Sequence, residues 1–173
     1  MADLLVCKEK LLAVVALYRK KYELSKEVGE DYYEPGMMEN LGQYSGNYNE
    51  GTGQIEICCE SKGMRYENRT MNLERVSVGE PVLIIRETSN TFNPNNFTIT
   101  TIHRASLGNL SADLCNALGP LYDAGYAQII SSHISYIEKI AQRSRYAKQG
   151  VLFVKLVIQL REACEIHSGQ LDK

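Results

Sequence analysis

Apolar positions between residues 3 and 28 recur every three to four places. Leu4, Cys7, Leu11, Val14 and Tyr18 form the stripe, and Leu5, Leu12, Val15 and Tyr22 widen it. This spacing predicts one amphipathic helix over 1–28, with Gly29 as its stop. Such a stripe has two uses. It can pack on its own domain, or it can pair helices between subunits, although two or three heptads make only a weak coiled coil.

The period is lost between residues 29 and 54. Glycines at 29, 36, 42, 46, 51 and 53 sit among Tyr32, Tyr33, Tyr44 and Tyr48. The segment reads as a Gly/Tyr-rich linker or long loop, with a short helical turn after Pro35 at most. Tyrosine mixed with Gly and Asn suits either a connector with a few docked rings or a stacking arm for nucleic acid.

From residue 55 the pattern becomes that of strands. Ile55, Ile57 and Cys59 alternate. Pro81–Arg86 is a short apolar strand, Phe97–His103 is rich in β-branched residues, and Leu107–Leu110 is another short strand. Ser111 is a good N-cap for a helix over Ala112–Ala124, which Gly125 closes. Ala127–Ile137 is again a strand. The last is the clearest: Leu152, Val154, Leu156, Ile158 and Leu160 share one face, with Phe153, Lys155, Gln159 and Arg161 on the other. Several strands and one helix between 55 and 162 predict a small antiparallel barrel without free edges. Residues 163–173 form a polar tail. The fold class expected is α+β, mostly β.

Charge refines this picture. The 173 residues carry a net charge of −2, which excludes a strongly basic nucleic-acid binder but not a local basic patch. One such patch exists. Residues 139–161 hold Lys139, Arg143, Arg145, Lys148, Lys155 and Arg161 without a single acid, and Tyr146 and Phe153 lie among them. Cations interleaved with rings are what a single-strand groove needs. A solvated loop and strand face carries the same composition.

Other chemistry is thin. The five cysteines include an adjacent pair and no C-x-x-C, which argues against a disulfide framework and a zinc site. No nucleotide-binding glycine motif and no nucleophile elbow occurs. The three histidines are scattered, with His103 and His133 read in strands and His167 in the tail. A Cys115–His103 pair can be written down, but nothing local supports a nucleophile there. The apolar run Leu11–Tyr18 is too short to span a bilayer, and Arg19-Lys20-Lys21 follows where a cleavage site would lie. The chain reads as a soluble, cytoplasmic protein that is not an enzyme and carries no metal or cofactor.

The order of short motifs is informative. Gly63-Met64-Arg65-Tyr66 is followed by Pro81-Val82-Leu83-Ile84-Ile85-Arg86-Glu87 and by Asn90-Thr91-Phe92-Asn93-Pro94-Asn95-Asn96-Phe97. Leu107-Gly108-Asn109-Leu110 then precedes a helix containing Leu118-Gly119-Pro120-Leu121-Tyr122-Asp123-Ala124-Gly125. Over residues 55–162 this resembles the HIRAN domain family. The resemblance implies a small OB-like barrel with a flanking helix, of the kind found on helicase-like SNF-type ATPases and alone in bacteria. It implies capture of single-stranded DNA 3′ ends, in a repair or replication-linked context. Carried over by position, it implies that Arg65 meets phosphate, that Tyr66 and Phe92 stack, and that Asn93 faces the terminal sugar. Asn109 and Phe153 complete the expected set. The sequence departs from the family at several of these places. Glu67 follows Tyr66 where a second ring is common. Phe92 lacks a tyrosine hydroxyl, and Asn93 replaces an acid. Asn109 stands where His or Tyr is usual, and Ala112 where some members have Lys. The alternative reading is a HIRAN fold whose DNA pocket has lapsed, serving protein interaction or homo-oligomerisation through the N-terminal helix.

Overall fold

A computed structural model describes residues 3–28, 40–143 and 147–161. Within them lie three helices: α1 (Leu4–Val28), α2 (Arg69–Leu73) and α3 (Ala112–Asp123). Seven strands accompany them: β1 (Ser45–Asn49), β2 (Gln54–Glu60), β3 (Leu83–Glu87), β4 (Asn96–Thr100), β5 (Ser106–Asn109), β6 (Ala127–Glu138) and β7 (Val151–Leu160). The fold is α+β and mostly sheet. One sheet runs β1-β2-β7-β6 and the other β3-β4-β5, with every pairing antiparallel.

The two sheets are joined at two places. At one seam Lys62 N donates to Asn109 O at 2.8 Å and Asn109 N returns to Lys62 O at 3.0 Å. At the other, Pro81 lies opposite His133, flanked by Gly79 N to Ile134 O at 2.8 Å and Ile134 N to Glu80 O at 2.9 Å. The expected barrel therefore takes the form of two sheets stitched at two short seams. Phe97, Phe153, Ile55, Ile57, Leu107, Leu114 and Leu118 are fully buried in one contiguous core. Each such side chain contributes roughly 1.5–3 kcal/mol on removal from water.

Helix α1 starts where Asp3 caps it: Oδ1 accepts from Leu5 N at 2.9 Å and Val6 N at 3.4 Å. Its stripe of Leu4, Cys7, Leu11, Val14, Val15 and Tyr18 is buried against α3 and β1 of the same chain. Of the two uses expected for this stripe, the chain's own core takes the apolar face.

The segment expected to be a connector, 29–54, is corrected over its second half. Leu41–Gln43 forms a 3-10 turn and Ser45–Asn49 is strand β1, paired to β2. The strand has no apolar signature because its buried inward position is Gly46. A Cβ there would come within 2.0 Å of the Val15 carbonyl oxygen, so α1 packs on bare backbone. Arg19 Nε then donates to Gly46 O at 2.8 Å. Residues 29–39 and the tail 163–173 lie outside the described residues.

The strand expected to run to His103 stops at Thr100. Thr101 Oγ1 accepts from His103 N at 3.2 Å and Ala105 N at 3.1 Å, and Arg104 adopts φ 66°. A hydroxyl-capped turn replaces the strand end, and His103 is exposed in it. Helix α3 forms as expected. Ser111 Oγ accepts from Leu114 N at 3.4 Å, and Gly125 follows its end at φ 80°.

Candidate nucleic-acid interface

The seam at Lys62 and Asn109 fixes the loop that follows β2. Gly63 turns the chain at φ 75°, and its carbonyl accepts from Arg69 Nη1 at 3.0 Å. Arg69 is 6% exposed and also donates from Nε to Ser106 Oγ at 2.9 Å. A buried guanidinium needs such partners, and the effect is to pin the Gly63 loop to β5. Glu67 approaches the same guanidinium at 3.7 Å. The carboxylate that would repel a phosphate is thus turned towards a fixed cation.

Arg65 and Tyr66 project from this pinned loop into solvent. Arg65 Nη2 donates to Tyr66 Oη at 2.7 Å, and its guanidinium carbon lies 4.9 Å from the ring centre. Tyr66 is 55% exposed. The pair forms a cation and a ring held together, with the remaining guanidinium donors facing outward.

Asn109 continues the surface. Its Oδ1 accepts from Asn96 Nδ2 at 3.2 Å, and the second Nδ2 proton of Asn96 reaches Glu87 Oε1 at 3.3 Å. Glu87 Oε1 also accepts from Asn90 Nδ2 at 2.7 Å, and Oε2 from Thr98 Oγ1 at 2.9 Å. These bonds, that from Asn90 first, hold the Glu87 carboxyl below the usual glutamate range. Asn90 Oδ1 in turn accepts from Phe92 N and Asn93 N, both at 2.9 Å. One hydrogen-bonded relay therefore runs from the β2–β5 seam across β4 and β3 to the Phe92 loop.

Arg86 holds that loop from its other side. Its side chain meets Asp123 through Nε–Oδ1 at 3.0 Å and Nη2–Oδ2 at 2.9 Å, while Nη1 donates to Pro94 O at 2.6 Å. Phe92, at the tip, is 97% exposed. A whole ring presented to water on a doubly anchored loop is an available stacking face.

Five of the six expected residues thus flank or join this network. Two expectations change in detail. Asn93 Oδ1 is engaged by Asn95 N at 2.9 Å, an Asx turn, so among the described residues its Nδ2 is the group left to meet a ligand. Phe153 is the outright correction. It is 0% exposed, edge-on to Tyr44 at 5.0 Å and to Tyr136 at 6.0 Å. It faces away from the Leu152–Leu160 stripe, but that face is covered too.

The basic stripe 139–161 does not form one groove. Lys139 Nζ donates to Glu74 O at 3.1 Å and Arg143 Nη1 to Gln149 O at 2.9 Å. Arg161 stacks on Tyr126 at 5.1 Å. Since Glu138 pairs with Val151 and Ala127 with Leu160, these cations sit at opposite ends of a ladder about 30 Å long. Arg145 and Tyr146 lie outside the described residues.

Glu87, Asn90, Asn96 and Thr98 are the residues that sequence reasoning missed. Their signal was present: Asn96 and Thr98 alternate with Phe97 and Ile99, so β4 offers one polar face. The cysteines take no part. Cys7, Cys58, Cys59 and Cys115 are free and buried. Burial pushes the Cys115 thiol up to about 11, and that thiol donates to Leu110 O at 3.5 Å. With His103 exposed in its turn, the Cys115–His103 pair is dismissed. Among the described residues no group of three His, Cys, Asp or Glu is placed to hold a metal, and no helix is long and apolar enough to cross a membrane.

No family model matches this chain and no curated protein is similar to it in sequence. Two solved structures are similar to it in part. A crystal structure of a protein from Lactobacillus plantarum is 19% identical, with a TM-score of 0.44, covering 61% of this chain and 98% of that one. The crystal structure of the HIRAN domain of human HLTF is 16% identical, with a TM-score of 0.45, covering 68% of this chain and 87% of that one.

Proposed function

We propose that this chain is a non-catalytic binder of single-stranded DNA that takes the 3′ end of the strand, acting in the cytoplasm on ends exposed during repair or replication. The observation that carries the reading is the relay from Asn109 through Asn96 and Glu87 to Asn90, with a free ring at one end and an arginine–tyrosine pair at the other. The motif order that resembles the HIRAN family supports it independently. Arg65 meets a phosphate, and Tyr66 and Phe92 hold bases by stacking. Asn93 Nδ2 donates to the terminal sugar. Glu87 supplies the carboxylate acceptor for the 3′-hydroxyl, the role that the resemblance places at position 93.

Fluorescence anisotropy with a short labelled single strand tests this. The free 3′-hydroxyl strand should bind more tightly than the same strand with a 3′-phosphate, which brings charge against Glu87. Equal affinity for both ends the 3′-end reading. Absence of binding to either at low salt ends the DNA reading altogether.

A further inference from the structure

A separate cavity of about 180 Å³ opens beside the Lys62–Asn109 seam. It lies between α1, β2 and the start of α3. Its polar wall holds Lys21, Lys62, Glu60 and Asp113, with the Tyr18 and Ser111 hydroxyls 3.0 Å apart. Lys21 is carried there by α1, its ammonium 4.3 Å above the Tyr44 ring and 5.9 Å from that of Tyr18. Both rings are buried, so they serve as a floor beneath the cation rather than as free stacking faces. Lys62 leans on Glu60 at 3.2 Å.

We propose that this cavity is a phosphate subsite for the nucleotides behind the strand end, with Lys21 and Lys62 as its cations. It rests on the reading that the neighbouring surface binds single-stranded DNA. Three features point to it. Two ammonium groups face one small cavity, and among the described residues no salt bridge joins a carboxylate to Lys21. Burial first, then the nearby Lys62, lower the Lys21 pKa, with Glu60 pulling the other way by less, so an arriving anion favours the charged ammonium. The Tyr18–Ser111 pair has two hydroxyl protons for one mutual bond, which leaves one to donate.

The carboxylates of Glu60 and Asp113 set the character of the subsite. They make the lining neutral overall, so a free anion gains little by entering. A phosphate tethered to an end already held next door arrives at high effective concentration. The subsite therefore adds affinity for longer strands rather than for isolated phosphate.

The test uses the full chain and labelled oligothymidylates with free 3′-hydroxyls, one a dinucleotide and one a hexanucleotide, across a salt series. Lys21→Met keeps the stem over the rings and removes the charge. It should reduce the salt slope for the hexanucleotide by about 0.7 and leave dinucleotide binding unchanged. Glu60→Gln frees Lys62 and should tighten hexanucleotide binding. Lys21→Arg should restore the slope, and this guards against a packing effect of Lys21→Met. An unaltered hexanucleotide slope in Lys21→Met, with Arg65→Ala still lowering it, overturns the subsite and leaves the end-binding reading standing. Failure of the unaltered protein to bind either oligomer overturns both.

Discussion

Arg86 and Asp123 meet side-on, with two parallel bonds of 3.0 and 2.9 Å joining β3 to the end of α3. The same guanidinium holds the Pro94 carbonyl, so the ion pair aligns the Phe92 loop as well as the fold. Its Arg86 side chain is 11% exposed, and bidentate geometry makes the pair stronger than a surface contact. Asp123→Asn should cost about 1–3 kcal/mol of stability, because it leaves a poorly solvated cation short of a partner. Chemical denaturation measures this. Arg86→Lys should itself destabilise the protein, since an ammonium cannot span both Asp123 oxygens and the Pro94 carbonyl together.

Phe92 separates binding from folding. Its ring touches little of the protein, so Phe92→Ala should change stability by no more than about 0.5 kcal/mol. The same substitution should weaken single-strand binding by about 1–3 kcal/mol if a base stacks there. A thermal melt and an anisotropy titration on one preparation give both numbers. Loss of stability together with unchanged binding would remove Phe92 from the site.

Glu87 gives the site a pH signature. Its folded pKa is depressed, first by the bond from Asn90. The stability it contributes is therefore fully present above the ordinary glutamate value of about 4.3. It is lost as pH falls through the lower folded value. Comparing the unaltered protein with Glu87→Gln by denaturation across pH should show a gap that narrows on acidification below that value. A gap constant from neutral to acid pH would mean that the carboxylate is not held by these donors.

Gly46 gives a packing prediction. Gly46→Ala places a methyl against the Val15 carbonyl, and backbone cannot rotate aside as a side chain does. The expected cost is about 1–3 kcal/mol, read as a lower melting temperature. Gly79→Ala is a useful control at the other extreme, because a Cβ there meets nothing within 4 Å. Its penalty comes only from φ 95°.

These residues also explain which parts of the fold were legible in the sequence. β7 was readable because Leu152, Val154, Leu156, Ile158 and Leu160 alternate with the pleat and are all buried. The same alternation misled at Phe153, since period alone does not say whether the second face is wet, and Tyr44 and Tyr136 cover it. β1 was hidden because its one fully buried position, Gly46, carries no side chain. At the candidate site, the motif order pointed to Arg65, Tyr66, Phe92, Asn93 and Asn109, which sit on turns and strand ends. Glu87, Asn96 and Thr98 escaped notice because their partnership runs across three strands, a relation that chain order does not display. The 139–161 stripe failed for the converse reason. Neighbours along a hairpin can end up at opposite ends of its ladder.

The placement of α1 has a consequence for the behaviour of the protein in solution. β1 closes the four-stranded sheet on one side, and strand margins of this kind are templates for pairing with another chain. Here the helix backbone rests on Gly46 and Arg19 occupies its carbonyl, so a neighbouring molecule finds that stretch already shielded. The helix whose stripe suggests pairing in sequence therefore lies over part of this strand margin, and loosening it should bare backbone groups that another chain can pair with.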